Sequence, residues 1–407
     1  MFSYKYIILG GGTVAGYAAR NLAKQNLPKD ELAIISDEAI PPMNRIPYSK
    51  DYLQGKSGLA KSYINSPSFY YDKGIKLFFF FFFTEVDFNN RTLTTSMGDI
   101  FKFEKLLIAT GSHLIPLPGD PGTYSNLFYL RRYSDADKIR EGAKNAQNIV
   151  VIGGGYIATE VAASLMQFST SVSMVFPEKH LLQRIVPEKL GNSINEYYQA
   201  KGIQLIAGRM VDSLKGRERL ESITLDNGEA LSADMFVTGI GVKPAISLFE
   251  NTGLELDRGI VVNDSLETNI EGVYAAGDVA VFPDSMYGPK RLEHWKNAFD
   301  QGKLAAQVMS GKDKKIQSIP YFFSDFFDFN LEIYGYPEEG KEVIWRGDPE
   351  SKEFVVCWMK ESVLTGALLQ SEDSALKMKI QQYIKKQTKL DINILQDPTA
   401  AIDEAAG

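Results

Sequence analysis

The sequence predicts an α/β protein with two Rossmann-like dinucleotide-binding domains and a C-terminal α+β domain. The first observation is "KYIILGGGTVAGYAA" at residues 5–19, where an apolar strand pattern meets a glycine-rich turn and then a helical pattern. The second is "VVIGGGYIATEVAASL", beginning at Val150, which repeats that arrangement. A further apolar strand follows each helix. Each stretch therefore predicts a βαβ unit and a parallel sheet with a right-handed crossover.

The chain of 407 residues is too long for a single core, and its pattern predicts three domains. Residues 1–114 and 245–316 are expected to form one discontinuous dinucleotide-binding domain, and residues 115–244 a second. From about Pro320 the sequence becomes aromatic-rich, and the strand patterns "EFVVCWMK" and "SVLTGALLQ" and a helical pattern follow. Residues 317–407 are therefore predicted to be the α+β domain.

Composition excludes several kinds of site. The single cysteine, Cys357, rules out a disulfide framework and a CxxC redox pair, and its apolar strand pattern predicts a packed thiol. The histidines, His113, His180 and His294, lack metal-ligand spacing, so no metal site is expected. A formal net charge of -7 argues against nucleic acid as the main partner. The longest apolar stretch, Leu77–Phe83, is too short for a membrane span, and we expect a cytoplasmic protein, either monomeric or homodimeric.

The two glycine turns, at residues 10–15 and 153–158, both fit the pattern GxGxxA. The first glycine permits the tight turn, the second lets backbone N–H groups approach a pyrophosphate, and the small third residue lets the helix pack on the strand. The helix N-terminus then presents partial positive charge to the phosphates. Two such motifs predict two bound dinucleotides, most economically a tightly held flavin dinucleotide and an exchanging nicotinamide dinucleotide.

An acidic residue is expected after each motif to hold a ribose. Asp37 and Glu38 follow the first unit, and Glu178 follows the second. A carboxylate accepts hydrogen bonds from ribose hydroxyls and repels a 2′-phosphate, so Glu178 favours NADH over NADPH. Lys179 and Arg184 lie close enough in sequence to oppose that preference, which leaves both nucleotides open.

Two segments carry no functional prediction. Six consecutive phenylalanines, Phe78–Phe83, predict either a wholly buried strand or an artefact of the sequence itself. The last eleven residues, "DPTAAIDEAAG", predict a mobile tail.

Further motifs indicate a family. The segments "LLIATGS", "VTGIGVKP" and "GVYAAGDV" resemble those of the two-dinucleotide-domain flavoprotein reductases. "PPMNRIPYSK" and "RLEHWKNAFDQGKLAA" are similar to the ferredoxin-reductase-like branch, which includes ferredoxin and rubredoxin reductases, apoptosis-inducing factor and monodehydroascorbate reductase. "MVFPEKHLLQR" and "IPYFFSDFFDFNLEIYG" most resemble monodehydroascorbate reductases. The resemblance covers nearly the whole chain and implies FAD and NADH or NADPH as cofactors.

The resemblance also implies which residues contact each cofactor. Glu38 would bind the adenosine ribose of FAD, and Asp278 its ribityl chain. The full implied FAD set is Gly10, Gly12, Thr13, Val14, Ala15, Glu38, Arg45, Lys50, Thr110, Gly111, Arg131, Gly277, Asp278 and Trp295. The implied NAD(P)H set is Gly153, Gly155, Tyr156, Ile157, Glu160, Glu178, Gly241, Glu293 and His294.

Three of these positions are implied to act in the reaction. In the relatives, the lysine and glutamate corresponding to Lys50 and Glu160 pair beside the reactive flavin nitrogen, where the ammonium would stabilise reduced flavin. Trp295 is expected near the isoalloxazine, either to carry electrons outward or to shield the ring. The "PPMNRIPYSK" turn occupies the position of the cysteine pair in disulfide reductases. The resemblance thus implies that hydride passes from NADH to FAD and that electrons then leave directly for an external acceptor.

Two positions bear on the identity of the electron acceptor. Plant-type monodehydroascorbate reductases hold their substrate with an arginine and a tyrosine at the positions that Phe299 and Phe323 occupy here. The open candidates are a ferredoxin, a rubredoxin, a quinone or a small radical. An alternative is an NADH-responsive, redox-sensing interaction protein of the apoptosis-inducing-factor type with little turnover.

Overall fold

The computed structural model describes residues 1–25, 27–168 and 171–406, which form two compact units. Unit 1 comprises Met1–Arg45, Ala60–His113 and Val242–Ser318. Unit 2 comprises Ile46–Leu59, Leu114–Gly241 and Ile319–Gly407. The domain limits predicted at residues 114, 244 and 316 stay predictions.

Strands and α-helices alternate at the two glycine turns, and long runs of strands make up most of the remaining chain. The strands are β1 (Phe2–Leu9), β2 (Leu32–Ile35), β3 (Lys76–Phe78), β4 (Phe83–Asp87), β5 (Thr92–Thr95), β6 (Ile100–Ile108), β7 (Ser112–Leu114), β8 (Leu127–Tyr129), β9 (Asn148–Ile152), β10 (Ser171–Phe176), β11 (Ile203–Ala207), β12 (Val211–Gly216), β13 (Leu220–Leu225), β14 (Ala230–Ser232), β15 (Met235–Thr238), β16 (Val242–Pro244), β17 (Ile260–Val261), β18 (Val273–Ala275), β19 (Ala280–Asp284), β20 (Gly288–Lys290), β21 (Tyr321–Phe326), β22 (Phe329–Gly335), β23 (Glu342–Asp348), β24 (Glu353–Lys360) and β25 (Val363–Gln370).

The α-helices are α1 (Thr13–Ala23), α2 (Pro67–Asp72), α3 (Tyr133–Asn145), α4 (Tyr156–Leu165), α5 (Glu188–Ala200), α6 (Trp295–Met309), α7 (Ser374–Lys386) and α8 (Ile392–Gln396). Short 3-10 turns cover Ile46–Ser49, Leu59–Ser62, Ser247–Phe249, Gly277–Val279, Pro337–Glu339, Pro349–Ser351 and Ile402–Ala406.

Unit 1 is built on a sheet of order β3-β2-β1-β6-β5-β4, with β18 also paired to β6. Strands β3, β2, β1, β6 and β18 run parallel, and β4 and β5 form an antiparallel extension. Helix α1 packs on α6, where a Cβ on Gly302 would lie 2.7 Å from the carbonyl oxygen of Val14. Glycine is therefore required for this close crossing. The first predicted βαβ unit is confirmed as β1-α1-β2.

Unit 2 contains a second parallel sheet, of order β11-β10-β9-β15-β8. Strands β9 and β15 are almost wholly buried, which accounts for their continuous apolar runs. Helix α4 connects β9 to β10, as the second glycine motif predicts. A smaller antiparallel sheet, β12-β13-β14, belongs to the same unit.

The C-terminal residues of unit 2 form an antiparallel sheet of order β21-β22-β25-β24-β23. Helix α7 packs against β22 and β25, and α8 against β23, giving an α+β arrangement. Cys357 on β24 is fully buried in this core, which confirms the predicted packed thiol. The predicted α/β fold class with its C-terminal α+β part is confirmed.

Of the two alternatives for the phenylalanine run, the wholly buried strand is wrong. Strand β3 ends at Phe78, and Phe80 has a left-handed backbone with φ of 62°. Its side chain is 68% exposed. Phe78 and Phe81 instead pack on Phe101, with ring centroids 5.0 and 5.5 Å away. The run therefore turns between β3 and β4, with Phe78 and Phe81 packed on Phe101 and Phe80 exposed.

The prediction of a mobile C-terminal tail is also wrong for the described residues 397–406. Arg346 Nη2 donates to the carbonyl oxygen of Ala400 at 2.5 Å, and Arg346 Nη1 donates to that of Asp397. Lys379 pairs with Asp403, and Ile402 is buried in the C-terminal core. The tail is ordered because its backbone carbonyls and its apolar side chains both have partners. Gly407 lies outside the described residues.

Candidate functional site

The first glycine turn ends β1 and begins α1, both in unit 1. Gly10 has φ of 124°, and a Cβ there would overlap the carbonyl oxygen of Ala109. Gly12 is the N-cap of α1, so no side chain occupies the free N–H groups of the first turn, and that turn contains no acidic residue. Val14 and Ala15 are buried on the opposite side, while Thr13 begins the helix. This arrangement leaves a helix N-terminus suited to an anion.

A buried carboxylate follows β2 in the same unit. Glu38 is 7% exposed and forms an ion pair with Arg45. Its backbone N–H donates to Ser36 Oγ at 3.1 Å. The phenylalanine turn covers this segment, since the N–H groups of Phe80 and Phe81 donate to the carbonyls of Glu38 and Ser36. The structure thus brings together Glu38 and Arg45, two residues that the sequence predicts at the FAD site.

The end of β6 presents the predicted Thr110 and Gly111. Thr110 Oγ1 donates to the carbonyl oxygen of Ala245 at 3.0 Å, and the Ala245 N–H donates to the carbonyl of Gly111 at 2.9 Å. Gly111 has φ of 68°, which a residue with a side chain adopts at a cost. These bonds fix the backbone of the strand end.

Asp278 lies in the 3-10 turn that follows β18. The Gly277 N–H donates to Gln301 Oε1 at 2.7 Å, and Ser112 Oγ donates to Asp278 Oδ2 at 2.8 Å. Arg291 Nη1 donates to the backbone carbonyl of Asp278 at 3.1 Å. Ser112 at the start of β7 therefore holds the Asp278 carboxylate, and Arg291 holds its backbone carbonyl.

An aromatic cluster surrounds Trp295, the first residue of α6. Its ring stacks on Phe299 with centroids 5.4 Å apart, and Tyr17 packs edge-on against Phe299 at 4.4 Å. The ammonium groups of Lys296 and Lys303 lie 5.3 and 4.6 Å from the centroid of the Phe299 ring. Trp295 Nε1 is buried and donates to none of the described residues. A ligand that accepts this N–H would satisfy a buried donor.

Glu293 and His294 lead into α6. Arg291 Nη1 donates to Glu293 Oε1 at 2.7 Å. His294 is the N-cap of α6, and burial lowers its pKa to about 4, while the Asp278 carboxylate acts in the opposite direction. His294 is therefore a neutral imidazole at neutral pH.

The low pKa of His294 predicts loss of stability in mild acid. The unfolded chain binds a proton below pH 6.5, its ordinary pKa, whereas the folded chain does so only near pH 4. Between pH 7 and pH 5 the free energy of unfolding should fall by about 2 kcal/mol from this group. Urea unfolding at pH 7 and pH 5 measures this fall, and in the His294→Gln variant the fall in the free energy of unfolding should be about 2 kcal/mol smaller than in the wild type. Equal losses in the two proteins would contradict the assignment.

The second glycine turn ends β9 and begins α4 in unit 2. Gly153 has φ of 126°, and a Cβ there would overlap the carbonyl oxygen of Gly239. Gly155 is the N-cap of α4, and a Cβ on it would have no atom within 4 Å. Ile157 is 45% exposed beside it, and Gly241 follows β15 with φ of 117°. Open space before a helix N-terminus without acidic residues fits a pyrophosphate.

Tyr156 and Glu178 flank the second turn. The Tyr156 ring packs on Phe322, with centroids 3.8 Å apart. Burial, and then the charge of Glu160, raise the pKa of Tyr156 well above its ordinary value, so its hydroxyl stays protonated. Glu178 follows β10, and its Oε1 lies 3.5 Å from Nε of the exposed Arg184.

A charged network lies between the turn at Ile46–Ser49, helix α4 and strand β21, all in unit 2. Lys50 Nζ lies 3.3 Å from Glu160 Oε1 and 2.7 Å from Asp325 Oδ2. Ser49 Oγ donates to Glu160 Oε2 at 2.5 Å, and Ser324 Oγ donates to Glu160 Oε1 at 2.7 Å. The predicted Lys50–Glu160 pair is therefore present, and both carboxylate oxygens of Glu160 accept hydrogen bonds.

A family model described as Pyridine nucleotide-disulphide oxidoreductase matches residues 4–302. The chain belongs to this family. A second model, Reductase C-terminal, matches residues 321–406.

Several relatives of this pyridine nucleotide-disulphide oxidoreductase are similar over nearly their whole length. Monodehydroascorbate reductase from Solanum lycopersicum is 34% identical, covering 99% of this chain and 97% of the relative. The structure of a covalent putidaredoxin reductase–putidaredoxin complex matches with a TM-score of 0.93 and 26% identity, over 98% of this chain and 97% of that chain. NADH:rubredoxin oxidoreductase from Clostridium acetobutylicum matches with a TM-score of 0.76 and 27% identity, over 96% of this chain and 97% of that chain.

The family assignment confirms the predicted enzyme class and the predicted cofactors. The chain is an FAD-dependent pyridine-nucleotide oxidoreductase, similar to monodehydroascorbate reductases and to ferredoxin and rubredoxin reductases. Its cofactors are FAD and NAD(P)H. The residues present fit both groups. Each unit offers a glycine-capped helix N-terminus with a carboxylate after the next strand, and unit 1 adds a buried indole N–H that donates to none of the described residues.

The predicted contacts of individual residues with the cofactors in this oxidoreductase stay predictions. Unit 1 holds most of the predicted FAD set, whereas Lys50 and Arg131 lie in unit 2. The Arg131 N–H donates to Asp135 Oδ2 at 3.0 Å, at the start of α3. Glu293 and His294, predicted for NAD(P)H, lie in unit 1, apart along the chain from the rest of that set.

Sequence reasoning missed three residues of the charged network in this oxidoreductase, namely Ser49, Ser324 and Asp325. The signal that would have indicated Ser49 is its place next to Lys50. Nothing local indicates Asp325, because 275 positions separate it from Lys50.

Two negative findings apply to the described ranges 1–25, 27–168 and 171–406. They contain no group of three or more His, Cys, Asp and Glu side chains that could hold a metal ion. In the same ranges, no helix combines the length and the apolar character needed to cross a membrane.

Proposed function

We propose that this oxidoreductase oxidises NADH and passes electrons from FAD directly to an external acceptor, without a redox disulfide. A small, acidic redox protein is the acceptor class that the side chains favour. Bound FAD would supply the chemistry that the side chains lack, because it accepts a hydride and can release electrons singly.

The observation that carries this proposal is the Lys50–Glu160 network. Lys50 is the residue that the resemblance implies beside the flavin, and its side chain is 15% exposed. A poorly hydrated ammonium stabilises negative charge far better than one in water. Glu160 and Asp325 hold it in place, so little reorganisation is needed when charge develops nearby.

The only cysteine of the 407 residues supports a direct route for the electrons. Cys357 is fully buried in the C-terminal core, and burial raises the pKa of its thiol to about 12. A buried neutral thiol is a poor nucleophile and has no second cysteine in this chain to pair with. The family name refers to disulphide chemistry, but these residues do not favour it here.

The aromatic cluster at Trp295 supports a redox protein rather than a small radical anion. Phe299 and Phe323 replace the arginine and tyrosine by which, according to the resemblance, monodehydroascorbate reductases hold their substrate. Phe299 instead lies between the ammonium groups of Lys296 and Lys303. Lys296 also pairs with Asp300, so Lys303 is the main cation beside these rings. Aromatic rings beside such a cation suit an acidic protein partner. The relatives that reduce rubredoxin or bind putidaredoxin support this class.

The test is steady-state NADH oxidation with a panel of acceptors: ferricyanide, ferredoxin, rubredoxin, quinones and the ascorbyl radical. We expect the highest kcat/KM with an acidic redox protein and a fall in that value as salt is added, because screening weakens the attraction. Faster turnover of the ascorbyl radical would contradict the choice of acceptor. A long-lived reduced protein that no acceptor reoxidises would favour the redox sensor instead.

The choice of nicotinamide nucleotide depends on Glu178. Its carboxylate is expected to accept ribose hydroxyls, and the nearby Arg184 can pair with a 2′-phosphate once that carboxylate is neutral. The Glu178→Gln substitution should lower the ratio of kcat/KM for NADH to kcat/KM for NADPH about tenfold. The exposed Glu188→Gln, at the start of α5, is the control and should leave the ratio unchanged. An unchanged ratio in the first variant would remove Glu178 from the nucleotide site.

A further inference from the structure

Three consecutive residues of β21 contact the Lys50–Glu160 pair. Phe323 places its ring centroid 4.8 Å from Lys50 Nζ, and Asp325 places Oδ2 2.7 Å from the same atom. Ser324, between them, is fully buried and donates to Glu160 Oε1 at 2.7 Å. Side chains alternate along a strand, so Phe323 and Asp325 share the face that holds the ammonium and Ser324 reaches the carboxylate from the other face.

The two carboxylates that contact Lys50, Glu160 and Asp325, differ in their distance from its ammonium. Glu160 is nearly buried and accepts hydrogen bonds from Ser49 and Ser324, so each of its carboxylate oxygens has a donor besides Lys50. The ammonium of Lys50 lies 0.6 Å closer to Asp325 than to Glu160, at 2.7 against 3.3 Å. Asp325 therefore determines where the ammonium sits, and Glu160 is the second, more distant partner.

We propose that Asp325 is a positioning residue for the reductase reaction, which fixes the Lys50 ammonium between β21 and Glu160. This inference rests on the proposed function, since it takes Lys50 as the group that acts beside the flavin. Without the Asp325 charge, the ammonium is drawn to Glu160 and the cation is displaced from its working position. The C-terminal α+β residues are then part of the reaction centre.

A neighbouring ion pair provides the matched control. Asp328 follows β21 by two residues and pairs with Lys352. The Asp328 and Lys352 side chains are 59% and 35% exposed, whereas those of Asp325 and Lys50 are 39% and 15% exposed, so water screens the control pair more strongly. Loss of the Asp328 charge should therefore change local stability slightly and the reaction not at all.

The experiment compares Asp325→Asn, Asp325→Glu and the control Asp328→Asn in FAD-loaded protein. The first readout is the rate at which acetic anhydride acetylates Lys50, followed by mass spectrometry. The second is the limiting rate of flavin reduction at saturating NADH, in stopped flow, together with the NADH concentration for half-maximal rate. The labelling readout also applies to protein from which FAD has been removed, so it is independent of activity.

In Asp325→Asn we expect Lys50 to be acetylated about threefold faster. The limiting rate of reduction should fall about tenfold, a change of about 1.4 kcal/mol, while half-saturation by NADH changes little. Asp325→Glu should restore much of both values because it keeps the charge. Asp328→Asn should match the wild type.

The possible negative results distinguish failure of the Asp325 inference from failure of the proposed function. Unchanged acetylation of Lys50 in Asp325→Asn would overturn the inference, and so would faster acetylation with an unchanged reduction rate. An Asp325→Glu variant no better than Asp325→Asn would also overturn it, since charge would then be irrelevant. Wild-type protein that NADH does not reduce would refute the proposed function, a result that the labelling of Lys50 does not influence.

Discussion

Replacing Lys50 by alanine is expected to slow the reduction of bound flavin by NADH about 100-fold, the usual size of effect when one preorganised charge or donor is removed. The variant should still fold, because Glu160 keeps its bonds from Ser49 and Ser324. Binding of FAD should persist, since most of the predicted FAD contacts lie in unit 1. Stopped-flow absorbance under anaerobic conditions measures the rate.

The control for this prediction is Lys352→Ala, which removes an ammonium from an exposed pair and should leave the rate within experimental error. A conservative Lys50→Arg variant should retain part of the rate, because it keeps the charge but not the shape. Flavin reduction at the wild-type rate in Lys50→Ala would remove Lys50 from the reaction.

Replacing Gly10 by alanine is expected to give protein with little or no bound FAD. A Cβ at this position overlaps the carbonyl oxygen of Ala109, and φ of 124° is unfavourable for any side chain. The turn must therefore move, which disturbs the N-terminus of α1 and the predicted pyrophosphate contacts. We expect the free energy of unfolding to fall by about 3 kcal/mol from overpacking and backbone strain together.

Gly119→Ala separates these two causes. Gly119 also has a positive φ, 81°, but a Cβ there would have no atom within 4 Å. Only the backbone strain should remain, at about 1 kcal/mol, and FAD content should be that of the wild type. Measured FAD absorbance per protein and thermal unfolding give both quantities. A Gly10→Ala variant that is yellow and as stable as Gly119→Ala would contradict the cradle assigned to the first turn.

Most of the fold could be predicted because its signals are local. The runs before Gly10 and Gly153 are strands buried on both faces, and the glycines after them have the backbone angles that only glycine adopts readily. A pattern of this kind needs no knowledge of the tertiary structure. The same holds for the predicted carboxylate Glu38, which follows its strand at a fixed distance.

The parts that were mispredicted depend on distant partners. Whether a phenylalanine run is a strand or a turn depends on how many rings the neighbouring core accepts, and Phe101 accepts Phe78 and Phe81 while Phe80 faces solvent. The tail is ordered because Arg346 bonds its carbonyls from a strand about fifty residues earlier. Neither contact can be predicted from the residues next to it in the sequence.

The charged network around Lys50 contains residues that the sequence indicates and residues that it does not. Lys50 and Glu160 could be paired from the resemblance, because both lie in motifs with a known arrangement. Asp325 and Ser324 could not, since an "SD" pair in an aromatic strand is typical of many exposed turns and strands. Their role becomes visible only when β21 is placed against α4.

The central claim is that this chain holds FAD, takes electrons from NADH and delivers them to an external acceptor. The most direct test is an anaerobic titration of the purified protein with NADH, followed by addition of an acidic redox protein in its oxidised form. We predict that an equimolar amount of NADH removes the flavin absorbance and that the acceptor restores it within the time of one turnover. A colourless protein, or flavin absorbance that NADH leaves unchanged, would contradict the claim.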